Sequence, residues 1–338
     1  MHGRSAVFFV LAAIAGALAP WRSPGAEPAW LRAATPNFEL FTTDGEKRAR
    51  DAIIYFEQVR AFFVNTAANL VLPAYPVRIV GFRSEKEFSP YRPFAGVAGL
   101  YHGGAHHDTI VMQGLAPALY PVAVHEYVHL ILRHGNVKAG AWLQEGLAEL
   151  YSTMAPAGRD SIRVGDFPAG RWAVLFDFSW LDLAVLFEAD QAWLASGGRE
   201  RVSMFYAQSW ALTHMLALSD AYRPGFPALL ETVARGAEPA GAIQKIYGKS
   251  LAQVRTDLDS YIRSYLFKAA LFRSTPGKQA VQPEVRPATP VEQGMVLADL
   301  DAGRPEKREQ ARQAYTRLAA AHPRSWEPSA GLAYLALA

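Results

Sequence analysis

The 338-residue chain contains no cysteine. Disulfides, thiolate-bound metals, thiol nucleophiles and an acylated lipoprotein anchor are all excluded, and any metal site must be built from His, Asp and Glu. Net charge is also scarce: 34 basic against 31 acidic residues leave +3. With no basic run, that balance carries no footprint for nucleic acid. Long hydrophobic runs are missing after the N-terminus, so no later segment reads as a membrane span. The exception is Ala6 to Leu18, an unbroken apolar and small-residue run after His2 and Arg4. Its length suits a signal peptide better than a span, and Pro20 disfavours cleavage after Ala19, which points to Ala26. Residues 1–26 are therefore expected to be a signal peptide and the chain periplasmic or secreted. Left uncleaved, residues 5–19 would anchor it in the inner membrane.

What remains is long enough for one large domain or two to three small ones. Asn37 to Thr42 alternates apolar and polar residues, as a strand does. Residues 46–66 space Ile53, Phe56, Val59, Phe62 and Phe63 as an amphipathic helix. Val77 to Phe82 predicts a strand, 85–89 a short helix, Tyr91 to Gly104 a Gly- and Pro-rich loop, and Thr109 to Met112 another strand. Helices follow over about 120–134 and 141–154, the first ended by Gly135-Asn136. Helical patterns then dominate: 181–195, 203–219, 226–235, 239–247 and 251–267. This order predicts an α+β fold, divided into an α/β subdomain over 30–155 and a helical subdomain over 156–270. Four prolines between Thr275 and Pro290 suggest a linker over 271–290. In the tail, 291–338, Ala311, Ala314, Tyr315, Leu318 and Ala319 share a helical face before His322-Pro323 breaks it. That pattern resembles part of a tetratricopeptide-type repeat, which would recruit a protein partner, or else is an ordinary helical hairpin.

The stretch that carries chemistry is His125-Glu126-Tyr127-Val128-His129. Four residues advance a helix by about 400°, which puts both histidines on one face, one turn apart, where two imidazoles can reach one ion. Glu126 stands beside them, suited to a metal-bound water rather than to the metal. Val124, Val128, Ile131 and Leu132 make the helix apolar, so its polar residues need partners. The next helix carries Trp142-Leu143-Gln144-Glu145-Gly146 and Glu149. Zinc held by two histidines takes a third protein ligand and leaves one position for water. Glu145 is the candidate ligand, and Glu149, one turn on, could accept a hydrogen bond from a ligand imidazole.

His-Glu-x-x-His followed by Trp142-Leu143-x-Glu145-Gly146 resembles the gluzincin metallopeptidases, and most closely the bacterial peptidase-MA-like domains. The resemblance covers about residues 35–265. It implies a zincin-like fold and one Zn2+ held by His125, His129 and Glu145, with Glu126 as general base and a peptide or protein as substrate. Phe205-Tyr206 through Leu212 resembles the aminopeptidase helix whose tyrosine stabilises the transition state, which would give Tyr206 that role. In gluzincins an edge strand pairs with the substrate backbone, and the resemblance assigns this to Thr109, Ile110, Val111 and Met112. The Gly-x-Met-Glu-Asn motif of the aminopeptidases is absent, which favours an endopeptidase. His102, His106 and His107 cluster in the Gly-rich loop, as solvated side chains or a second metal site, and His134 and His214 read as structural. The competing reading is a zincin-fold scaffold without activity, whose tail recruits partners. Against it stands a motif complete at each ligand and at the base.

Overall fold

The computed structural model describes residues 29–66, 71–92, 97–103, 107–157, 161–265, 267–273 and 282–337. The expected signal peptide, 1–26, and His106 lie outside them. The chain runs β1 (Leu31–Ala34), β2 (Phe38–Thr42), α1 (Glu46–Thr66), β3 (Val77–Gly81), α2 (Glu85–Phe88), β4 (Gly99–Gly103) and β5 (Asp108–Met112). Next come α3 (Tyr120–His134), α4 (Ala141–Ser152), β6 (Ala155–Pro156), β7 (Ser161–Val164), α5 (Ala169–Asp177), α6 (Leu183–Glu188) and α7 (Gln191–Ser196). It continues through α8 (Arg199–Leu218), α9 (Phe226–Ala234), α10 (Pro239–Tyr247), α11 (Leu251–Arg263) and β8 (Ala270–Arg273), and closes with β9 (Glu284–Pro287), α12 (Pro290–Ala302), α13 (Arg308–Ala321) and α14 (Glu327–Leu337). The fold is α+β, as expected. Among the described residues no helix is long and apolar enough to cross a membrane.

Six strands form a mixed sheet in the order β4-β5-β3-β2-β1-β9. β2, β3 and β5 are parallel, and β4, β1 and β9 pair antiparallel with their neighbours. Alternation along the strands splits their side chains between two cores. Ala33, Phe38, Leu40, Ile79, Ile110 and Met112 face α1 and α3. Phe41, Val80 and Val111 face the other way, onto Val296 and Leu300 of α12.

Three expected divisions of the chain do not appear in its packing. Residues 284–287, expected to lie in a linker, are a strand of the main sheet, paired with β1 from Leu31↔Pro287 to Ala34↔Glu284. Its proline stands at an edge, where a missing N–H costs no ladder bond. The tail that follows is not separate either. α12 runs over the back of the sheet: Glu292 bonds Arg286 on β9, Asp299 bonds Arg78 on β3, and Gly303 lies against His102 on β4. Nor does the core break at 155/156, because one apolar cluster runs from Ala33 to Ile262.

The contact that matters most for the site is α4 against α8. A Cβ on Gly146 would stand 2.6 Å from the Ser209 carbonyl oxygen and 2.1 Å from Thr213 Oγ1. Only a residue without a side chain lets the two helices approach this closely.

Candidate metal centre

α3 presents His125 and His129 from one face, as a four-residue spacing requires. Its end is sharp. Asn136, with φ 48°, takes the left-handed conformation, while Gly135 stays right-handed. The Val137 amide donates to the Leu132 carbonyl, which closes the turn and sends the chain back as α4. Glu145, one turn into α4, thereby comes to the two imidazoles. His125 Nε2 and His129 Nε2 are 3.1 Å apart. Glu145 Oε2 is 3.2 Å from the first and 3.4 Å from the second.

This triangle fits a metal ion. Tetrahedral zinc with bonds of about 2.0–2.1 Å sets its ligand atoms about 3.3–3.4 Å apart. Glu145 Oε2 is buried and has no hydrogen-bond partner of regular geometry, an unexplained cost for a carboxylate oxygen unless a cation takes the place. Charge points the same way. Glu126, Glu145 and Glu149 surround the imidazoles, and Arg171 is the cation paired into the group. With both imidazoles neutral, three carboxylates against one guanidinium leave two negative charges for a divalent ion to offset. The His125-His129-Glu145 group is the one metal-capable cluster among the described residues.

Burial alone would raise the Glu145 carboxyl, but the two imidazoles outweigh it and hold the group down at about 2. For His125, burial pulls the pKa down, yet its contact with Glu145 and the charges of Glu145, Glu149 and Glu126 raise it overall. Glu126 is pushed up, first by burial and then by Glu145, against the two imidazoles and the Tyr101 backbone, which pull it down. It is half-buried, so water can reach it.

Other expected residues stand as follows. Tyr206, on α8, lies close enough that Glu145, Glu149 and Glu126 all act on its hydroxyl, which burial first of all pushes up. Glu149 is buried and sits 3.8 Å from His125 Nδ1, too far for the hydrogen bond expected of it. Its carboxylate is instead bonded to Arg171 at 2.5 Å. Thr109, Ile110, Val111 and Met112 are corrected. β5 is an interior strand, hydrogen-bonded on both sides by β3 and β4, and buried throughout. An interior strand has no free backbone edge for a substrate. The edge on this side of the sheet is β4.

The histidines outside the triad also find places. His102 is no solvated loop residue: it sits on β4 with Gly303 against its ring. His107 makes an edge-on contact with Tyr75. His134 Nε2 is 2.6 Å from the fully buried Asp108. His214 donates from Nε2 to the Gly165 carbonyl and accepts at Nδ1 from the Tyr261 hydroxyl. Both are held structurally.

Arg171 had no signal in the sequence, since a lone arginine on a short helix points nowhere until the fold closes. β4 was hidden by its glycines. No protein-family model matches the chain, and no curated protein matches it.

Proposed function

We propose that the chain is a zinc-dependent peptidase of the gluzincin type, exported to the periplasm or beyond the cell. The observation that carries this reading is the triangle of His125 Nε2, His129 Nε2 and Glu145 Oε2, with edges of 3.1, 3.2 and 3.4 Å. Its donor set of two imidazoles and one carboxylate is the one used by hydrolytic zinc sites with an open fourth position. A bound zinc would supply Lewis acidity for the scissile carbonyl and make water a usable nucleophile near neutral pH.

The chain's own residues do the rest. Glu126 takes the proton of the attacking water and passes it to the leaving amine. Its raised pKa suits a group that must both accept and release a proton. Tyr206 remains protonated at working pH and donates its hydroxyl to the oxyanion that forms at the carbonyl. The edge strand β4 offers backbone groups to an extended peptide, which adds to the sheet beside the triad. The absent Gly-x-Met-Glu-Asn motif favours cleavage within chains over removal of N-terminal residues.

Metal content and digestion of a peptide library by the zinc-loaded protein test the reading together. About one zinc per chain is expected, with cleavage lost in Glu126→Gln. A folded, chelator-free sample that takes up no zinc would overturn it.

A further inference from the structure

Arg171 stands on α5, outside the two helices of the motif, yet its guanidinium touches two members of the site. It donates from one terminal nitrogen to Glu149 Oε1 at 2.5 Å. Its Cζ lies 4.9 Å from the centre of the Tyr206 ring. Glu149 in turn stands 3.8 Å from Nδ1 of His125, the nitrogen opposite the one that faces the triad. A chain therefore runs from His125 through Glu149 and Arg171 to the ring of Tyr206. Glu149 is buried, so its carboxylate needs a countercharge, and Arg171 supplies it.

We propose that Arg171 is a positioning residue that sets two parts of the site at once, an inference that rests on the peptidase reading. By holding Glu149 at hydrogen-bond length, it keeps that carboxylate off His125 Nδ1 and so limits the pull on the ligand imidazole. A carboxylate bonded to the far nitrogen of a metal-ligating histidine makes it a stronger ligand. By lying over the Tyr206 ring, the guanidinium also fixes where the phenol points. The two duties predict opposite consequences when the cation is lost. Glu149, released, can close on His125 and tighten the metal. Tyr206, released, loses its aim and the reaction slows.

This opposition distinguishes positioning from scaffolding, because structural damage would loosen metal binding and slow turnover alike. The test is Arg171→Met, alongside Arg171→Lys and the double variant Arg171→Met/Glu149→Gln. Zinc affinity is read by competition with a chromophoric chelator, peptide cleavage by initial rates. In Arg171→Met, zinc is expected to bind several-fold tighter, while kcat falls about tenfold or more with KM little changed. Arg171→Lys keeps the charge but not the planar fork, and should recover part of both. With Gln at 149, the Met substitution should no longer alter zinc affinity. If the parent binds zinc and cleaves while Arg171→Met matches it, or if affinity and kcat fall together with thermal stability, the Arg171 inference is overturned and the peptidase reading stands. A parent that binds no zinc overturns the peptidase reading itself.

Discussion

Asp299 of α12 holds Arg78 of β3 at 2.5 Å and also accepts the Tyr315 hydroxyl of α13 at 2.6 Å. One carboxylate thus ties the back of the sheet to the first two helices of the tail. Arg78 is 8% exposed and shares its charge with Glu39. Asp299→Ala would leave a buried guanidinium with half its partners and a buried phenol with none. Loss of such bonds should cost about 1–3 kcal/mol, read as a lower midpoint in denaturant. Deleting 283–338 should do far more, because Phe41, Val80 and Val111 would face water. That truncation is expected to aggregate or fail to fold. A well-behaved fragment with the parent's stability would show the tail to be dispensable.

The roles proposed for Glu126 and Tyr206 separate kinetically. Glu126→Gln should keep one zinc per chain and lose about 10²–10⁴ in kcat. Tyr206→Phe should also keep the metal and lose about 10²–10³ in kcat with little change in KM. His125→Ala and Glu145→Gln should instead lose zinc, measured by elemental analysis after dialysis. A Tyr206→Phe enzyme with parental kcat would remove that residue from the reaction.

These residues were legible in the sequence because their chemistry is local. His125, Glu126 and His129 fall within two turns, and a 3.6-residue apolar period located the helices at 46–66, about 120–134 and about 141–154, the last of which ends at Ser152. What failed was written in long-range packing. Residues 99–103 looked like loop because of Gly99 and Gly103. Yet a Cβ on Gly99 would lie 2.5 Å from Val122 Cγ1, and one on Gly103 would run into the Arg133 guanidinium. Those glycines mark a strand pressed against α3, not a turn. Prolines hid β9 in the same way, since an edge strand tolerates them.

Gly146 sets how near α8, and with it Tyr206, comes to the triad. In Gly146→Ala the new methyl would meet the Ser209 carbonyl oxygen at 2.6 Å and Thr213 Oγ1 at 2.1 Å. The Thr213 side chain can turn, but the backbone oxygen cannot. Forced separation of well-packed helices costs about 1–3 kcal/mol. The variant should therefore melt several degrees lower and also lose kcat, as Tyr206 retreats. Gly146→Ala with parental stability would mean that the helices have slack that the close approach denies.

Acid should loosen the tail before it empties the core. Glu292 caps α12 by accepting from the Thr289 amide and pairs with Arg286 on β9 at 2.6 Å. Arg32 stands 3.5 Å away. Chiefly through the Arg286 bond, its carboxyl is held down at about 2, from an ordinary 4.5. A depressed carboxyl contributes stability above its unfolded pKa, and that contribution fades as pH falls from about 4.5 toward 2. Because the pair is partly open to solvent, its worth is about 1 kcal/mol rather than the full shift. Glu292→Gln removes the charge at every pH. It should be less stable than the parent at pH 7, and the gap should close as both are titrated from pH 5 to 2. Denaturation midpoints at each pH measure that gap. A gap that stays constant through this window would show that the capping charge contributes nothing to docking the tail.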